Sequence, residues 1–290
     1  MAEFFADLAL RVSWAIPVGI ALWFVARRFT HIEAAAESGT ETSAAGRRAG
    51  WHRPLVLLAC LVLLWGLLMG LGWLITRVLG PVRDVDATIM DWFGTNRTDA
   101  ATAVAVAVDR IGDTPGIIVV ILIAAPVAHA MTRRWAPALA LVLAPAGETT
   151  VFLAAQYLTS RARPDIEHLA VEPVTSSFPS GHVAATFVTY GCIALLMLSW
   201  SRGLARFVAV GLAVALPLAV AWARLYQGMH FPSDVLVSLA FAPLWLAACW
   251  WALGPASRGE LVRFGRAPDA ESRGKRPNDV EATSPGTVRR

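Results

Sequence analysis

At 290 residues, 56% of them hydrophobic and only 16% charged, with a mean hydropathy of +0.55, the chain is too apolar for a soluble domain of its length. Its net charge of +4 comes from basic residues that are dispersed rather than patched with aromatics, which argues against a nucleic-acid partner. The three cysteines, Cys60, Cys192 and Cys249, each sit inside an apolar run and read as small buried hydrophobes, not as a disulfide framework or a metal-spaced set.

A spanning helix needs roughly 20 mostly apolar residues. Seven segments come close: about 8–26, 55–79, 116–132, 136–158, 182–200, 204–224 and 233–253. The third is short, and the fourth carries Glu148 and Gln156. Arg27 and Arg28 follow the first run instead of preceding it, so that run reads as an uncleaved span and not as a signal peptide. Residues 81–115 form a polar stretch with one helix candidate, Ala100 to Ile111, interrupted by Asp109 and Arg110 and therefore interfacial. Beyond Gly254 the chain is rich in charge, Pro and Gly and reads as a disordered tail. The fold class is all-α, a polytopic membrane helical bundle. It divides into an extra N-terminal span and loop (1–53), a membrane core (54–254) and a tail (255–290).

Basic clusters fall on alternate loops: Arg27, Arg28, Arg47, Arg48 and Arg53, then Arg133 and Arg134, then Arg202 and Arg206, then the tail. Seven spans put all of them on one side, which the positive-inside rule makes cytoplasmic. The other face then holds 80–115, 159–181 and 225–232, where polar chemistry collects. The chain is expected in the cell membrane, with this site on the non-cytoplasmic face and the tail in the cytoplasm.

Three segments converge on that face. "QYLTSRARPD" (Gln156 to Asp165) ends the fourth span, "FPSGH" (Phe178 to His182) starts the fifth, and "ARLYQGMHFPSD" (Ala223 to Asp234) joins the last two. Arg163 and Arg224 are fixed cations whose guanidinium forks suit phosphate oxygens. Pro179 fits a first helical turn, and the Ser180 hydroxyl with the amides of Gly181 and His182 would point at an anion near the helix N-terminus. Gly181 removes a side chain that would obstruct an oxyanion. His182 and His230 suit a proton donor and a nucleophile. Asp234, one helical turn beyond His230, is placed to accept from one ring nitrogen and leave the other lone pair for attack on phosphorus. Singly, each feature has a plainer reading as a topology marker, helix cap or interfacial anchor. Glu148 reads as a protonated or hydrogen-bonded interhelical contact near Thr149 and Thr150 in preference to a proton relay. His168 reads as a solvated loop residue and His129 as an interfacial anchor.

At these residues the chain resembles the type 2 phosphatidic acid phosphatase family, whose active-site design is shared with vanadium haloperoxidases. The family pattern is Lys, six residues, Arg-Pro; then Pro-Ser-Gly-His; then Ser-Arg, five residues, His, three residues, Asp. Arg163-Pro164, Pro179-Ser180-Gly181-His182, Arg224, His230 and Asp234 match it in order and spacing, over about residues 54–253. The resemblance implies a six-span core and a metal-independent, cofactor-free lipid phosphatase. In it His230 forms a phosphohistidine, Asp234 orients it, and His182 protonates the leaving oxygen. Arg163, Arg224, Ser180 and the Gly181 amide would hold the phosphate.

Two positions depart from the pattern. Gln156 stands where the family has Lys, and Ala223 where it has Ser. Losing the lysine removes a cation from a site that must stabilise shifting negative charge; Gln156 can still donate a hydrogen bond, and Arg161 is expected to supply the charge. The expected substrates are lipid phosphates in the bilayer: a polyprenyl pyrophosphate, phosphatidic acid or phosphatidylglycerol phosphate. Phosphotransfer to an acceptor other than water, and a non-catalytic lipid-binding or transport protein on the same scaffold, are the alternatives. Hydropathy disfavours a haloperoxidase. The oligomeric state is not encoded in these motifs.

Overall fold

In a computed structural model, residues 52–171, 175–201 and 203–253 are described. The expected first span, the loop after it and the 255–290 tail lie outside the described residues. Among those described, eight helices follow in order: α1 (His52–Arg77), α2 (Gly80–Thr95), α3 (Asp99–Gly112), α4 (Thr114–Thr132), α5 (Trp135–Thr159), α6 (Gly181–Trp200), α7 (Leu204–Tyr226) and α8 (Pro232–Leu253). Six of them, α1 and α4 to α8, are long and apolar enough to cross a membrane. The chain is therefore a multi-pass membrane protein with an all-helical fold.

The 81–115 stretch forms two helices where the sequence suggested one. Residues 80–95 are polar enough to mask a helix, yet α2 has Pro81 in its first turn and buries Asp86 and Met90 on one side. Arg83 of α2 donates to the Thr76 carbonyl at 2.8 Å, satisfying the end of α1, where a cation is favoured. Thr98 caps α3 by accepting from the Ala101 amide at 3.2 Å, and Asp113 caps α4 by accepting from Gly116 at 2.7 Å.

The spans sort by burial. α5 is the innermost and packs against α1, α4, α6 and α8. Leu63 of α1, Leu122 of α4 and Val214 of α7 point outward, as hydrocarbon-facing side chains do. The main core joins Leu68 of α1, Val151 and Phe152 of α5, Val188 of α6 and Trp245 of α8. Trp245 satisfies its indole N–H on the Ala144 carbonyl at 2.8 Å. Gly147 permits that approach, since a Cβ there would lie 2.4 Å from the indole ring.

The two amphipathic helices clamp the end of the bundle where α5 stops and α6 and α8 start. Tyr226, the last residue of α7, accepts from the Thr98 amide at 2.9 Å and donates to the Thr98 carbonyl at 3.0 Å. Arg97 reaches across to the carbonyls of Glu167 and Tyr226, tying the loop after α5 to the end of α7. This end carries the three motifs.

Candidate active site

His230 lies in the turn between α7 and α8 and is only 2% exposed. Its Nδ1 sits 2.6 Å from the carbonyl oxygen of Ser177. A carbonyl can only accept, so Nδ1 carries the proton and Nε2 keeps its lone pair. Burial, then the positive charges of Arg224 and Arg163, push the His230 pKa well below that of a free imidazole, although the Ser177 contact opposes them. The ring is thus held neutral near pH 7, the form a nucleophile needs.

The expected contact from Asp234 to His230 is not what the structure has. Asp234 instead pairs with the guanidinium of Arg161 and accepts from the Phe231 amide at 2.8 Å. The latter bond spans three residues back to the start of α8, as an acidic capping side chain does. Asp234 therefore fixes the turn that carries His230, while a backbone carbonyl orients the ring. Sequence spacing could not reveal the carbonyl, because every residue has one.

Arg161 also departs from expectation. Beyond Asp234, it binds Asp86 of α2 at 2.7 Å and the Ser233 hydroxyl at 2.8 Å, and it lies over the Phe231 ring at 4.3 Å. Asp86 in turn accepts from the Ser233 amide at 2.9 Å. All four polar members are buried. The Arg161 guanidinium thus already faces two carboxylates within the protein. Asp86 was not singled out from sequence: it sits in a polar stretch with no motif to mark it.

The second motif opens α6 later than expected. Pro179 precedes the helix, Ser180 is the N-cap and Gly181 is its first residue. The Ser180 amide donates to Ser238 of α8 at 2.9 Å. Its hydroxyl makes no cap bond and, though fully buried, has no hydrogen-bond partner among the described residues. Gln156, at the end of α5, donates to the Pro179 carbonyl at 2.7 Å and lies beside Gly181. A Cβ on Gly181 would meet only the Gln156 amide nitrogen, at an ordinary 3.7 Å, so the protein by itself leaves room for alanine there.

Arg163 donates to the carbonyls of Met229, at 2.5 Å, and Thr175, at 3.2 Å, bridging the loop after α5 to the His230 turn. Arg224 holds Asp109 of α3 at 3.1 Å, while its Nε is buried without a partner among the described residues. His182, on the first turn of α6, lies close enough to His230, Arg224 and Arg163 to interact with them electrostatically. The three motifs therefore meet at one end of the bundle.

Other singled-out residues lie apart from this cluster. Glu148 is buried within α5 and accepts from Thr149 at 3.2 Å through one oxygen, while the other has no partner among the described residues. His168 lies 2.9 Å from the Pro164 carbonyl and is partly buried rather than solvated. His129 stacks on Trp135 at the opposite end of the bundle. Ala223 is fully buried, against Ala105 and Tyr226. Among the described residues no three His, Cys, Asp or Glu side chains gather as a metal-binding group.

Residues 135–258, a stretch that contains all three motifs, match the model of the PAP2 superfamily. Among solved structures, the chain is similar to the crystal structure of the first transmembrane PAP2 type phosphatidylglycerolphosphate phosphatase from Bacillus subtilis. The two are 21% identical, with a TM-score of 0.56 over 70% of this chain and 95% of that one, which is a likeness of fold. No curated protein matches the chain.

Proposed function

We propose that the chain is an integral membrane phosphatase that hydrolyses a lipid phosphate, with His230 as nucleophile and His182 as proton donor. The observation that carries this reading is a pair of buried donors without a partner among the described residues: the Ser180 hydroxyl, at the N-cap of the helix whose first turn carries His182, and the Arg224 Nε, whose charge acts on both histidines. Leaving a buried donor unsatisfied costs about 1–3 kcal/mol. The oxygens of a phosphate at the N-terminal amides of α6 would accept from such donors, in the field of a helix N-terminus.

The chemistry follows from the ring held by Ser177. His230 Nε2 attacks phosphorus, a P–N bond forms, and the P–O bond to the lipid breaks. His182 gives its proton to the leaving oxygen. Water then attacks the phosphohistidine, His182 takes a proton from it, and inorganic phosphate departs with His230 neutral again. Arg163, Arg224 and the α6 amides hold the phosphoryl oxygens as charge shifts. Asp234 acts one step back, through the turn.

A site at the end of a helical bundle suits an amphiphile whose tail stays in the bilayer while its headgroup enters. The distribution of arginines supports a non-cytoplasmic site. A mere binding protein would not need a histidine held in one tautomer. The test is phosphate release from a panel of lipid phosphates by wild type and His230→Ala in detergent, with and without vanadate and EDTA. Release that vanadate blocks, EDTA spares and His230→Ala abolishes supports the reading. No release from any lipid, or full activity in His230→Ala, contradicts it.

A further inference from the structure

Charge around the proposed cradle is more nearly balanced than its arginines suggest. Arg161 faces Asp86 and Asp234. Arg224 faces Asp109 at 3.1 Å, in a contact where the two side chains are only 4% and 15% exposed. Gln156 is neutral and already donates to the Pro179 carbonyl. Asp113 lies close enough to His182 to act on it electrostatically. We infer that the site takes a lipid phosphomonoester in preference to a lipid diphosphate, and that Asp109 and Gln156 set this preference. The inference rests on the phosphatase reading above and narrows its substrate class.

A monoester carries about −1.5 to −2 at pH 7, and a diphosphate adds the charge of another phosphoryl group. Of the two arginines at the cradle, Arg163 is only half-buried and Arg224 is buried and paired with Asp109, so the cradle comes closer to matching the charge of the first than of the second. Asp109 does not sit there by accident of an exposed helix. α3 presents Ala105 and Asp109 one turn apart on the same face, and Gln227 binds the Ala105 carbonyl at 3.1 Å while its side-chain oxygen accepts from Arg224 at 3.3 Å. Asp109 thus both positions the guanidinium and lowers the net charge it offers. It is a specificity-determining positioning residue, with no contact to the reacting atoms required.

The experiment compares kcat/KM for a prenyl monophosphate and a prenyl diphosphate of the same tail length, in wild type, Asp109→Asn and Gln156→Lys. Wild type is expected to favour the monophosphate by about tenfold, the size of one screened charge contact. Each variant adds one positive charge to the balance, so each should shift the ratio toward the diphosphate by about the same factor. Inhibition by inorganic phosphate and by pyrophosphate should shift in parallel, and it is read as a ratio so that a general loss of activity cancels. If Asp109→Asn does not fold, Gln156→Lys alone decides. A wild type that prefers the diphosphate, or a ratio unmoved in the folded variants, overturns the inference while leaving the phosphatase reading standing. No hydrolysis of either lipid overturns both.

Discussion

His230 and Ser177, 53 residues apart, meet through a ring nitrogen and a carbonyl oxygen 2.6 Å apart. Because the carbonyl accepts, the contact fixes the tautomer and leaves the lone pair on Nε2. It also ties the second motif to the third through backbone, so no side-chain substitution at Ser177 removes it directly.

The protonation state of His230 gives a first prediction. Burial and the nearby arginines lower its pKa below the ordinary 6.5. A histidine with a depressed folded-state pKa binds fewer protons folded than unfolded between the two values. Its neutral state therefore favours folding above 6.5, and this contribution is lost as pH falls toward the folded-state pKa. Histidine-labelled NMR of the protein in detergent should show the His230 ring titrating below 6.5, assigned by its loss in His230→Ala. A midpoint at or above 6.5 would refute the burial argument.

Arg161 is predicted to matter for stability more than for phosphate binding. Removing it leaves Asp86 and Asp234 buried and facing each other without a cation. Such a loss typically costs about 3–5 kcal/mol. Arg161→Ala should lower the thermal unfolding midpoint sharply, and Asp86→Asn, which leaves the Asp234 pair in place, should do so less. An Arg161→Ala protein of unchanged stability but weakened vanadate inhibition would return Arg161 to the phosphate cradle.

Gly181 separates the needs of the fold from those of the ligand. A Cβ there meets nothing closer than the Gln156 amide nitrogen at 3.7 Å. Gly181→Ala should therefore leave the unfolding midpoint nearly unchanged while raising KM and weakening vanadate inhibition, because the methyl group projects where an oxyanion must approach. Equal activity in the two proteins would show that phosphate does not sit against this residue.

Gly147 makes the opposite case. A methyl group there would fall 2.4 Å from the Trp245 ring, which its own hydrogen bond to Ala144 holds in place. Gly147→Ala should destabilise by about 1–3 kcal/mol. Gly66→Ala, on the same measurement, should be neutral, since nothing lies within 4 Å of that position.

The sequence made the spans and the three motifs legible for separable reasons. Span length is set by bilayer thickness, so α5 could be expected at 136–158 and was found at 135–159. The motif residues are rare polar groups in apolar surroundings, which is why His182, His230 and Arg224 stood out. What stayed hidden depends on tertiary contact. Asp86 is one acid among several in a polar stretch, and only folding buries it against Arg161. The spacing from His230 to Asp234 suits a histidine–carboxylate pair equally well whether or not a third residue captures the carboxylate. Arg161 does, and Ser177 orients the histidine in its stead.

The central claim is that His230 carries the phosphoryl group. Wild type mixed with a labelled lipid phosphate and quenched in base within the first turnovers should yield an acid-labile, base-stable phosphoprotein, whose label maps to the peptide containing His230 and is absent from His230→Ala. Label found on another residue, or steady turnover in His230→Ala with no trapped phosphoprotein, would contradict the account.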